Sequence, residues 1–287
     1  MKHFSDFSPA DLADVARADV QRALAEDVGP GDLTAALVPA NKRVKARIVA
    51  REAAVVCGRP WVLGAVAACD PSAELHWHVA EGQRCEPDQV VLELEGNARG
   101  LLTAERTALN YLQTLSAVAT KTATFVAAVD GTKAAIVDTR KTLPGLRLAQ
   151  KYAVKTGGGV NHRIGLYDAV LIKENHIAAA GGVSAVLDQV RATVPDARFI
   201  EIEVETLEQL DEALACGAEM VLLDNMDIPT LNEAVRRNAG KAILEISGGV
   251  NLESVRALAE TGVDRISIGA LTKDVKATDY SMRFDGL

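Results

Sequence analysis

The feature that most constrains the fold is a series of short apolar segments after residue 133, separated by stretches with helical character. Each segment has four or five residues, which is a strand length, and no hairpin turn joins neighbours. Strands that alternate with helices form a parallel sheet with helical crossovers. The sequence predicts six such strands, at Ala134–Val137, Ala169–Ile172, Phe199–Ile202, Met220–Leu223, Ala242–Ile246 and Arg265–Ile268. We also expect a seventh short strand near Ala153–Gly157.

The chain before this region has a different pattern. Ser8 and Pro9 are typical of a helix start, and we expect that helix to run to about Asp27. Three strands of an antiparallel sheet are expected at Val44–Val56, Glu74–Val79 and Val90–Glu95. Apolar residues then recur at helical spacing over residues 101–129, which predicts two helices or one long bent helix. The length of 287 residues fits one large or two modest domains.

The composition excludes several classes of protein. Hydrophobic residues make up 48% of the chain and charged residues 24%, which is ordinary for a globular protein and excludes disordered, fibrous and coiled-coil chains. The low aromatic content of 4% and the net charge of −8 disfavour nucleic acid and anionic membranes as partners. A cationic pocket would stand out against this acidic background.

The cysteines and the N-terminus favour a cytoplasmic protein. The four cysteines form no CxxC pair, which is typical of reduced thiols; they are Cys57, Cys69, Cys85 and Cys216. Residues 1–7 lack the apolar core of a signal peptide. The apolar stretch at 53–69 is interrupted by glycine, arginine and proline, so we do not expect it to span a membrane.

Chemically reactive residues follow the predicted strands. They are Asp138-Thr139-Arg140-Lys141, Lys173-Glu174-Asn175-His176, Glu203, Asp224-Asn225, Ser247-Gly248-Gly249 and Gly269-Ala270. In an α/β barrel the ends of all strands face one mouth, where active sites are built. This repeated placement favours a closed α/β barrel over an open doubly wound sheet.

Five side chains that can carry positive charge would converge on that mouth: Arg140, Lys141, His162, Arg163 and Lys173. Burying them without partners would be very costly. They could pair with the acidic residues Asp138, Glu203 and Asp224, or they could bind an anionic ligand. We favour the ligand, because the arginine fork suits a carboxylate or phosphate and lysine acts as a movable point charge.

Glycines and acids add to this interpretation. Ser247-Gly248-Gly249 and Gly269-Ala270 follow the last two strands, where barrels often hold a phosphate on backbone N–H groups. Glu203 and Asp224 end neighbouring strands and should lie close together, which suggests ribose hydroxyls or a Mg²⁺ ion as their ligand. The alternative, that the two acids only neutralise Lys141 and Lys173, is compatible with that role.

Several of these motifs together resemble the quinolinate phosphoribosyltransferase family. They are Thr139-Arg140-Lys141-Thr142, Gly157-Gly158-Gly159 with His162-Arg163, Leu171-Ile172-Lys173-Glu174-Asn175-His176, Leu223-Asp224-Asn225-Met226, Ser247-Gly248-Gly249, Glu26-Asp27 with Gly31-Asp32-Leu33-Thr34, and Glu105-Arg106-Thr107-Ala108-Leu109-Asn110. They occur in the family's order over nearly the whole chain. One departure is Glu174, where aspartate is more usual, at a position with no assigned catalytic role.

The resemblance implies a two-domain subunit of the α/β class. An N-terminal α/β sandwich and dimerisation domain would span residues 1–115. A catalytic domain, an incomplete parallel α/β barrel of about seven strands, would span residues 116–287, with its C-terminal tail packing back on the N-terminal domain. The resemblance also implies a homodimer in which the arginine that matches Arg106 enters the active site of the other subunit.

The implied activity is a phosphoribosyltransferase reaction of NAD biosynthesis. Quinolinate and phosphoribosyl pyrophosphate would give nicotinate mononucleotide, pyrophosphate and CO2. The resemblance implies that the two carboxylates of quinolinate are held by Arg106, Arg140, His162 and Arg163, with Thr139 also at the substrate. The 5′-phosphate would bind the amides of Ser247, Gly248, Gly249, Gly269 and Ala270.

The catalytic assignments under this resemblance are Lys141, Lys173, Glu203 and Asp224. Lys141 and Lys173 would bind phosphoribosyl pyrophosphate together with Mg²⁺, the one cofactor expected. Glu203 and Asp224 would hold the ribose hydroxyls or the metal, and could stabilise positive charge at the anomeric carbon.

Three other functions remain as alternatives. A related pyrophosphorylase-like protein could use a different acceptor, although the set of dicarboxylate-binding residues argues against it. A Schiff-base lyase would use Lys173 as its nucleophile. A regulatory subunit that binds a phosphorylated metabolite would need neither the Glu203–Asp224 pair nor a metal.

Overall fold

The structure is a computed structural model that describes residues 9–285. The predicted helix start at Ser8 and the N-terminal segment at 1–7 lie outside the described residues. The chain separates into two compact units. The parallel unit comprises Thr124–Thr142 and Gly159–Ala270, and the antiparallel unit comprises the described residues of 9–123, 143–158 and 271–285.

The strands and helices have the following bounds. The strands are β1 (Arg43–Ala50), β2 (Ala54–Val55), β3 (Glu74–Trp77), β4 (Arg84–Cys85), β5 (Val90–Asn97), β6 (Ala135–Val137), β7 (Val170–Ile172), β8 (Ile200–Val204), β9 (Met220–Asp224), β10 (Ile243–Ser247), β11 (Arg265–Ser267) and β12 (Tyr280–Asp285). The helices are α1 (Pro9–Asp27), α2 (Arg59–Cys69), α3 (Ala98–Ala128), α4 (Arg147–Thr156), α5 (Glu174–Ala180), α6 (Val183–Thr193), α7 (Leu207–Ala215), α8 (Ile228–Asn238), α9 (Val255–Glu260) and α10 (Ala270–Lys273). A short 3₁₀ helix covers Ala35–Leu37.

The antiparallel unit is built on a four-stranded sheet in the order β12-β1-β5-β3. Exposed and buried residues alternate along most of β1, so that one face of the sheet packs into the core. Buried residues pair across the strands, with Ala46 opposite Leu94 and Ile48 opposite Leu92. The C-terminal strand β12 completes this sheet by pairing with the other edge of β1.

The N-terminal predictions hold in outline and differ in detail. The predicted strand at Val44–Val56 is two strands, β1 and β2, separated by a bend at Arg51-Glu52. The helical pattern at 101–129 forms one long helix, α3, rather than two. Helix α2 was not predicted, because Pro60 and Gly64 interrupt the apolar run that forms it. Its buried residues are Trp61, Val62, Ala65 and Val66, which recur at helical spacing.

The parallel unit contains all six predicted strands, in the order β6-β11-β10-β9-β8-β7, and every neighbouring pair is parallel. Apolar residues dominate these strands because helical crossovers leave them little contact with water. The α/β class with a separate antiparallel domain is therefore confirmed.

The seventh strand, predicted near Ala153–Gly157, is not formed there. Residues 153–156 form the end of α4 and Gly157 caps it; the buried residues Ala149, Ala153 and Val154 of this helix recur at helical spacing. Val160, a few residues later, instead forms an isolated parallel bridge with Val137 of β6. The sheet of the parallel unit therefore has six strands and this single bridge.

All four cysteines are free. Burial raises the pKa of the Cys57 thiol, which makes it unreactive. Of the helices between residues 9 and 285, none combines the length and apolar character needed to cross a membrane.

Candidate active site

The site lies at the carboxyl ends of the parallel strands. These ends meet at one edge of the sheet, so residues that follow different strands come together there. Ser247 and Asp224 are direct partners in the register of β10 and β9, and Glu203 lies on β8 next to them. The topology thus brings distant parts of the sequence to one place.

A cavity of about 250 Å³ opens at this edge. Eight of the residues predicted for the site line it: Thr139, Arg140, Lys141, His162, Arg163, Lys173, Glu203 and Ser247. Asp224, Gly248, Gly249, Gly269 and Ala270 lie at the strand ends beside it without lining it. The remaining lining residues are Leu171, Leu222, Glu245 and Ser267.

Positive charge is concentrated in the cavity. Arg163 is nearly buried, and that burial together with the like charge of Arg140 lowers the pKa of its guanidinium. Lys173 lies on the same cavity, with its Nζ 3.5 Å from an oxygen of Glu203. Two guanidinium groups that destabilise each other in this way would be stabilised by a bound anion.

Local hydrogen bonds position these cations. The Thr139 hydroxyl accepts the backbone N–H of Lys141 at 3.0 Å, which makes a tight turn directly after β6. The backbone N–H of Lys173 is held by Nδ1 of His176 at 2.9 Å, at the start of α5. Asp138 does not line the cavity. It is fully buried and accepts hydrogen bonds from the segment that carries Arg163.

The carboxylates Glu203 and Asp224 form an oxygen-rich side of the site. Burial and the negative charge of Asp224 raise the pKa of Glu203, and Lys173 opposes this shift. The Ser247 hydroxyl lies 3.2 Å from Oδ1 of Asp224. Gly248 and Gly249 follow with φ angles of +99° and +61°, values that favour glycine and leave the backbone open to a ligand.

Gly269 has a specific packing role. A Cβ atom at this position would lie 2.8 Å from Cδ of Lys141. The absence of a side chain therefore allows the lysine stem to run along the backbone at the end of β11. This contact links the last strand-end loop to a cation of the cavity.

The sequence did not point to a layer of charged residues beneath the cavity. Glu201, Glu245 and Arg265 lie inside strands, two positions before Glu203, Ser247 and Ser267 respectively. Side chains two positions apart share one face of a strand, so all three point to the cavity side. The sequence did carry a signal for this layer: a charged residue within an otherwise apolar strand, two positions before the residue at the strand end.

Burial defines the chemistry of this layer. Glu201 and Glu245 are both fully buried. Burial raises the pKa of Glu201 to about 7 and also raises the pKa of Glu245, which a guanidinium nitrogen of Arg265 contacts at 2.7 Å. The potential ligand atoms of His162, Glu201 and Glu245 lie within 4.8 Å of one another. Within residues 9–285 this is the one cluster of three potential metal ligands.

Arg106 belongs to the antiparallel unit, on α3. It lines a cavity of about 220 Å³ in that unit, together with Glu26 and Asp27 of α1 and with Asn110 and Tyr111 of α3. The predicted role of Arg106 in the site of another subunit stays a prediction.

Comparison with known proteins identifies the family. The model of the quinolinate phosphoribosyl transferase N-terminal domain matches residues 32–116, and the model of its C-terminal domain matches residues 118–283. The chain belongs to the quinolinate phosphoribosyl transferase family. The resemblance seen in the sequence motifs is thereby confirmed.

Individual relatives of this family are similar over almost their full length. The nicotinate-nucleotide pyrophosphorylase [carboxylating] of Mycobacterium leprae is 47% identical, over 94% of this chain and 97% of the relative. The probable enzyme of the same name from Bacillus subtilis is 40% identical, over 90% of this chain and 89% of its own. The solved nicotinate-nucleotide pyrophosphorylase of Francisella tularensis is 40% identical, has a TM-score of 0.93, and is matched over 99% of this chain and 100% of its own.

The contact between Gly269 and Lys141 can be tested with inorganic pyrophosphate as an anionic probe. Gly269→Ala should displace the lysine stem and weaken binding about tenfold, the effect expected from losing one charge-assisted contact. Lys141→Ala should weaken it at least as much. Because the new methyl group has no lysine to displace in the double variant, the two effects should not add.

Calorimetric titration of the wild type, both single variants and the double variant completes this cycle. Thermal unfolding of each variant serves as the control for folding. Additive losses would mean that Gly269 acts independently of Lys141.

Proposed function

We propose that this protein transfers the phosphoribosyl group of phosphoribosyl pyrophosphate to quinolinate, releasing pyrophosphate and CO2 and forming nicotinate mononucleotide. The observation that carries the proposal is that two guanidinium groups, those of Arg140 and Arg163, share one cavity with a side lined by carboxylates. The family supports the same reaction, since its members are named as quinolinate phosphoribosyltransferases.

Quinolinate is a pyridine dicarboxylate, so its recognition needs more than one cation. Arg140 and Arg163 are suited to hold its two carboxylates, because a guanidinium binds a carboxylate through two parallel hydrogen bonds. Arg106 of the partner subunit would add a further positive charge. Thr139 and His162 shape the part of the cavity next to these groups.

Phosphoribosyl pyrophosphate carries its charge at two ends. Lys141 and Lys173 are point charges suited to its pyrophosphate. The backbone at Ser247-Gly248-Gly249 and Gly269-Ala270 would hold the 5′-phosphate through N–H groups. The ribose would then lie beside Glu203 and Asp224, whose carboxylates can accept hydrogen bonds from its hydroxyls.

The first chemical step exchanges one bond at the anomeric carbon for another. The lone pair of the pyridine nitrogen attacks that carbon, and the electron pair of the C–O bond departs with pyrophosphate. Positive charge develops on the ribose in the transition state. Glu203 and Asp224 would stabilise this charge without having to reorganise, which is the main catalytic contribution expected of preorganised groups.

Decarboxylation follows from the product of this step. The ring nitrogen is now a pyridinium, which attracts electrons from the adjacent carbon. The bond from that carbon to its carboxylate breaks, CO2 leaves, and the electron pair stays on the ring carbon until it takes up a proton. The positive charge on the adjacent nitrogen stabilises this electron pair, so no separate organic cofactor is needed.

Mg²⁺ fits the donors at the ends of β8 and β9. Glu203 and Asp224 supply only oxygen ligands, and Mg²⁺ binds one or two carboxylates together with substrate phosphates. The negative charge of Asp224 raises the pKa of Glu203, so a cation near both would stabilise their ionised forms. When bound, the ion would neutralise charge on the departing pyrophosphate.

The biological unit is proposed to be a homodimer with shared sites, because Arg106 is expected to complete the cavity of the other subunit. Four free thiols support a reducing compartment, the cytoplasm. The alternative of a lyase with a nucleophilic Lys173 is disfavoured, because the family and its named members are phosphoribosyltransferases.

Acceptor choice tests the dicarboxylate argument. We predict that quinolinate is used and nicotinate is not, with a preference of roughly 10⁴-fold or more in kcat/KM, because a missing carboxylate forfeits its charge-assisted contacts to the cavity cations. Release of pyrophosphate with each acceptor is the measurement. Equal turnover of nicotinate would exclude a site built for two carboxylates.

Removal of divalent ions tests the metal assignment. EDTA should abolish turnover, and Mg²⁺ or Mn²⁺ should restore it, since both ions prefer oxygen ligands. Asp224→Asn should raise the Mg²⁺ concentration needed for half-maximal activity, by about tenfold. If the enzyme stays fully active in the chelator, both carboxylates act on the ribose alone.

Mixing two inactive variants tests the shared site. Arg106→Ala and Lys141→Ala should each be inactive alone. In a mixed two-fold dimer one site carries both changes and the other carries neither, so about a quarter of wild-type activity should return with random pairing.

Differently tagged subunits verify that exchange has taken place in this experiment. Each variant mixed with itself is the control. Proven exchange without recovered activity would show that Arg106 does not act in the partner's site.

A further inference from the structure

His162 lies at the cavity with both ring nitrogens held by the chain itself. Its Nε2 is 2.7 Å from Oε2 of Glu201, and its Nδ1 is 2.8 Å from the backbone nitrogen of Arg163. A backbone N–H can only donate, so Nδ1 must carry a lone pair. The hydrogen-bond network therefore assigns the neutral tautomer, with the proton on Nε2 donated to Glu201.

Packing fixes the ring in this orientation. The imidazole and the Phe199 ring form a T-shaped pair, with centroids 5.3 Å apart and planes at 88°. The same short segment is held from its other side by Asp138, which accepts the backbone N–H of His162 at 2.9 Å and the Asn161 amide at 2.7 Å. Asp138 and Glu201 thus restrain the two residues that precede Arg163.

The negative charge in the layer beneath His162 is balanced by Arg265. Glu245 accepts a 2.7 Å hydrogen bond from Arg265, and its other oxygen is 3.6 Å from Nε2 of His162. A metal ion among His162, Glu201 and Glu245 would have to displace the proton on Nε2 and would lie near this guanidinium. Charge and hydrogen bonding therefore favour a protein-only network over a metal site.

We propose that Glu201 is a positioning residue, which holds the neutral His162 ring and thereby fixes the Asn161–Arg163 segment so that the Arg163 guanidinium faces the acceptor. This inference rests on the proposed function, because it assigns Arg163 to an acceptor carboxylate. His162 then contributes orientation rather than charge. Arg140 and Arg163 are the cations of this chain that select the acceptor.

Two variants of Glu201 separate the effect of its hydrogen bond to His162 from the effect of the space that its side chain fills. Glu201→Ala removes the acceptor for the imidazole N–H. Glu201→Gln keeps it: the amide oxygen can accept from Nε2, and the amide NH2 would replace Oε1, which has no hydrogen-bond partner among the described residues. Glu205→Ala is the matched control, because Glu205 is an exposed glutamate directly after the same strand.

Steady-state kinetics give the first readout. Glu201→Ala should raise the KM for quinolinate about 10- to 100-fold, the effect of losing a hydrogen bond to a charged group, and leave the KM for phosphoribosyl pyrophosphate nearly unchanged. Glu201→Gln should restore most of the quinolinate affinity, and Glu205→Ala should behave as the wild type. Equal changes in both KM values, or none, would overturn the proposal.

A spectroscopic readout is independent of activity and of whether Glu201→Ala folds. Long-range ¹H–¹⁵N spectra of the wild-type protein distinguish the two neutral tautomers and the imidazolium, and His162→Asn assigns the signal. We expect the Nε2–H tautomer, and a protein free of tightly bound metal by elemental analysis after gel filtration. An imidazolium, an Nδ1–H tautomer, or a metal bound to His162 would contradict the inference.

The same data separate this inference from the proposed function. If the wild type does not turn over quinolinate, the proposed function fails. The tautomer and the metal content then still decide whether Glu201 holds the His162 ring.

Discussion

The site depends on one electrostatic constraint: groups of like charge are crowded into a small, largely buried volume. Arg140 and Arg163 destabilise each other in the cavity, whereas Glu201 and Glu245 are buried beneath it with Arg265 as their own counter-charge. The two layers attract each other, because the charge of Glu201 opposes the fall in the pKa of Arg163. A bound anion would further offset the repulsion between the two guanidinium groups, and burial would strengthen its attraction to them.

The parallel sheet places these two layers of charged groups. Alternate residues of a strand share one face, so a strand can present one charged group in the interior and a second at its carboxyl end. Glu201 and Glu203 on β8, and Glu245 and Ser247 on β10, follow this rule. In the proposed assignments the interior group positions neighbouring residues, and the terminal group meets the ligand. The rigid sheet thereby holds charges where positive charge develops during the reaction.

The sequence could predict the parts of this arrangement that are local. Short apolar runs marked all six parallel strands. The residues that follow these runs, such as Lys173 and Glu203, were recognised as candidates for the site from their position alone. The buried acidic layer could not be found in this way, because Glu201 inside a strand looks like a solvent-facing residue until its neighbours in space are known. Residues 153–157 were assigned to a strand because the pattern of so short a segment does not separate strand from helix.

The most direct test of the proposed reaction is its stoichiometry. Quinolinate labelled in the carboxylate next to the ring nitrogen allows labelled CO2 and pyrophosphate to be counted in the same reaction. The reaction described here predicts equal amounts of both, formed only when phosphoribosyl pyrophosphate is present. Pyrophosphate release without CO2, or CO2 release without phosphoribosyl pyrophosphate, would contradict it.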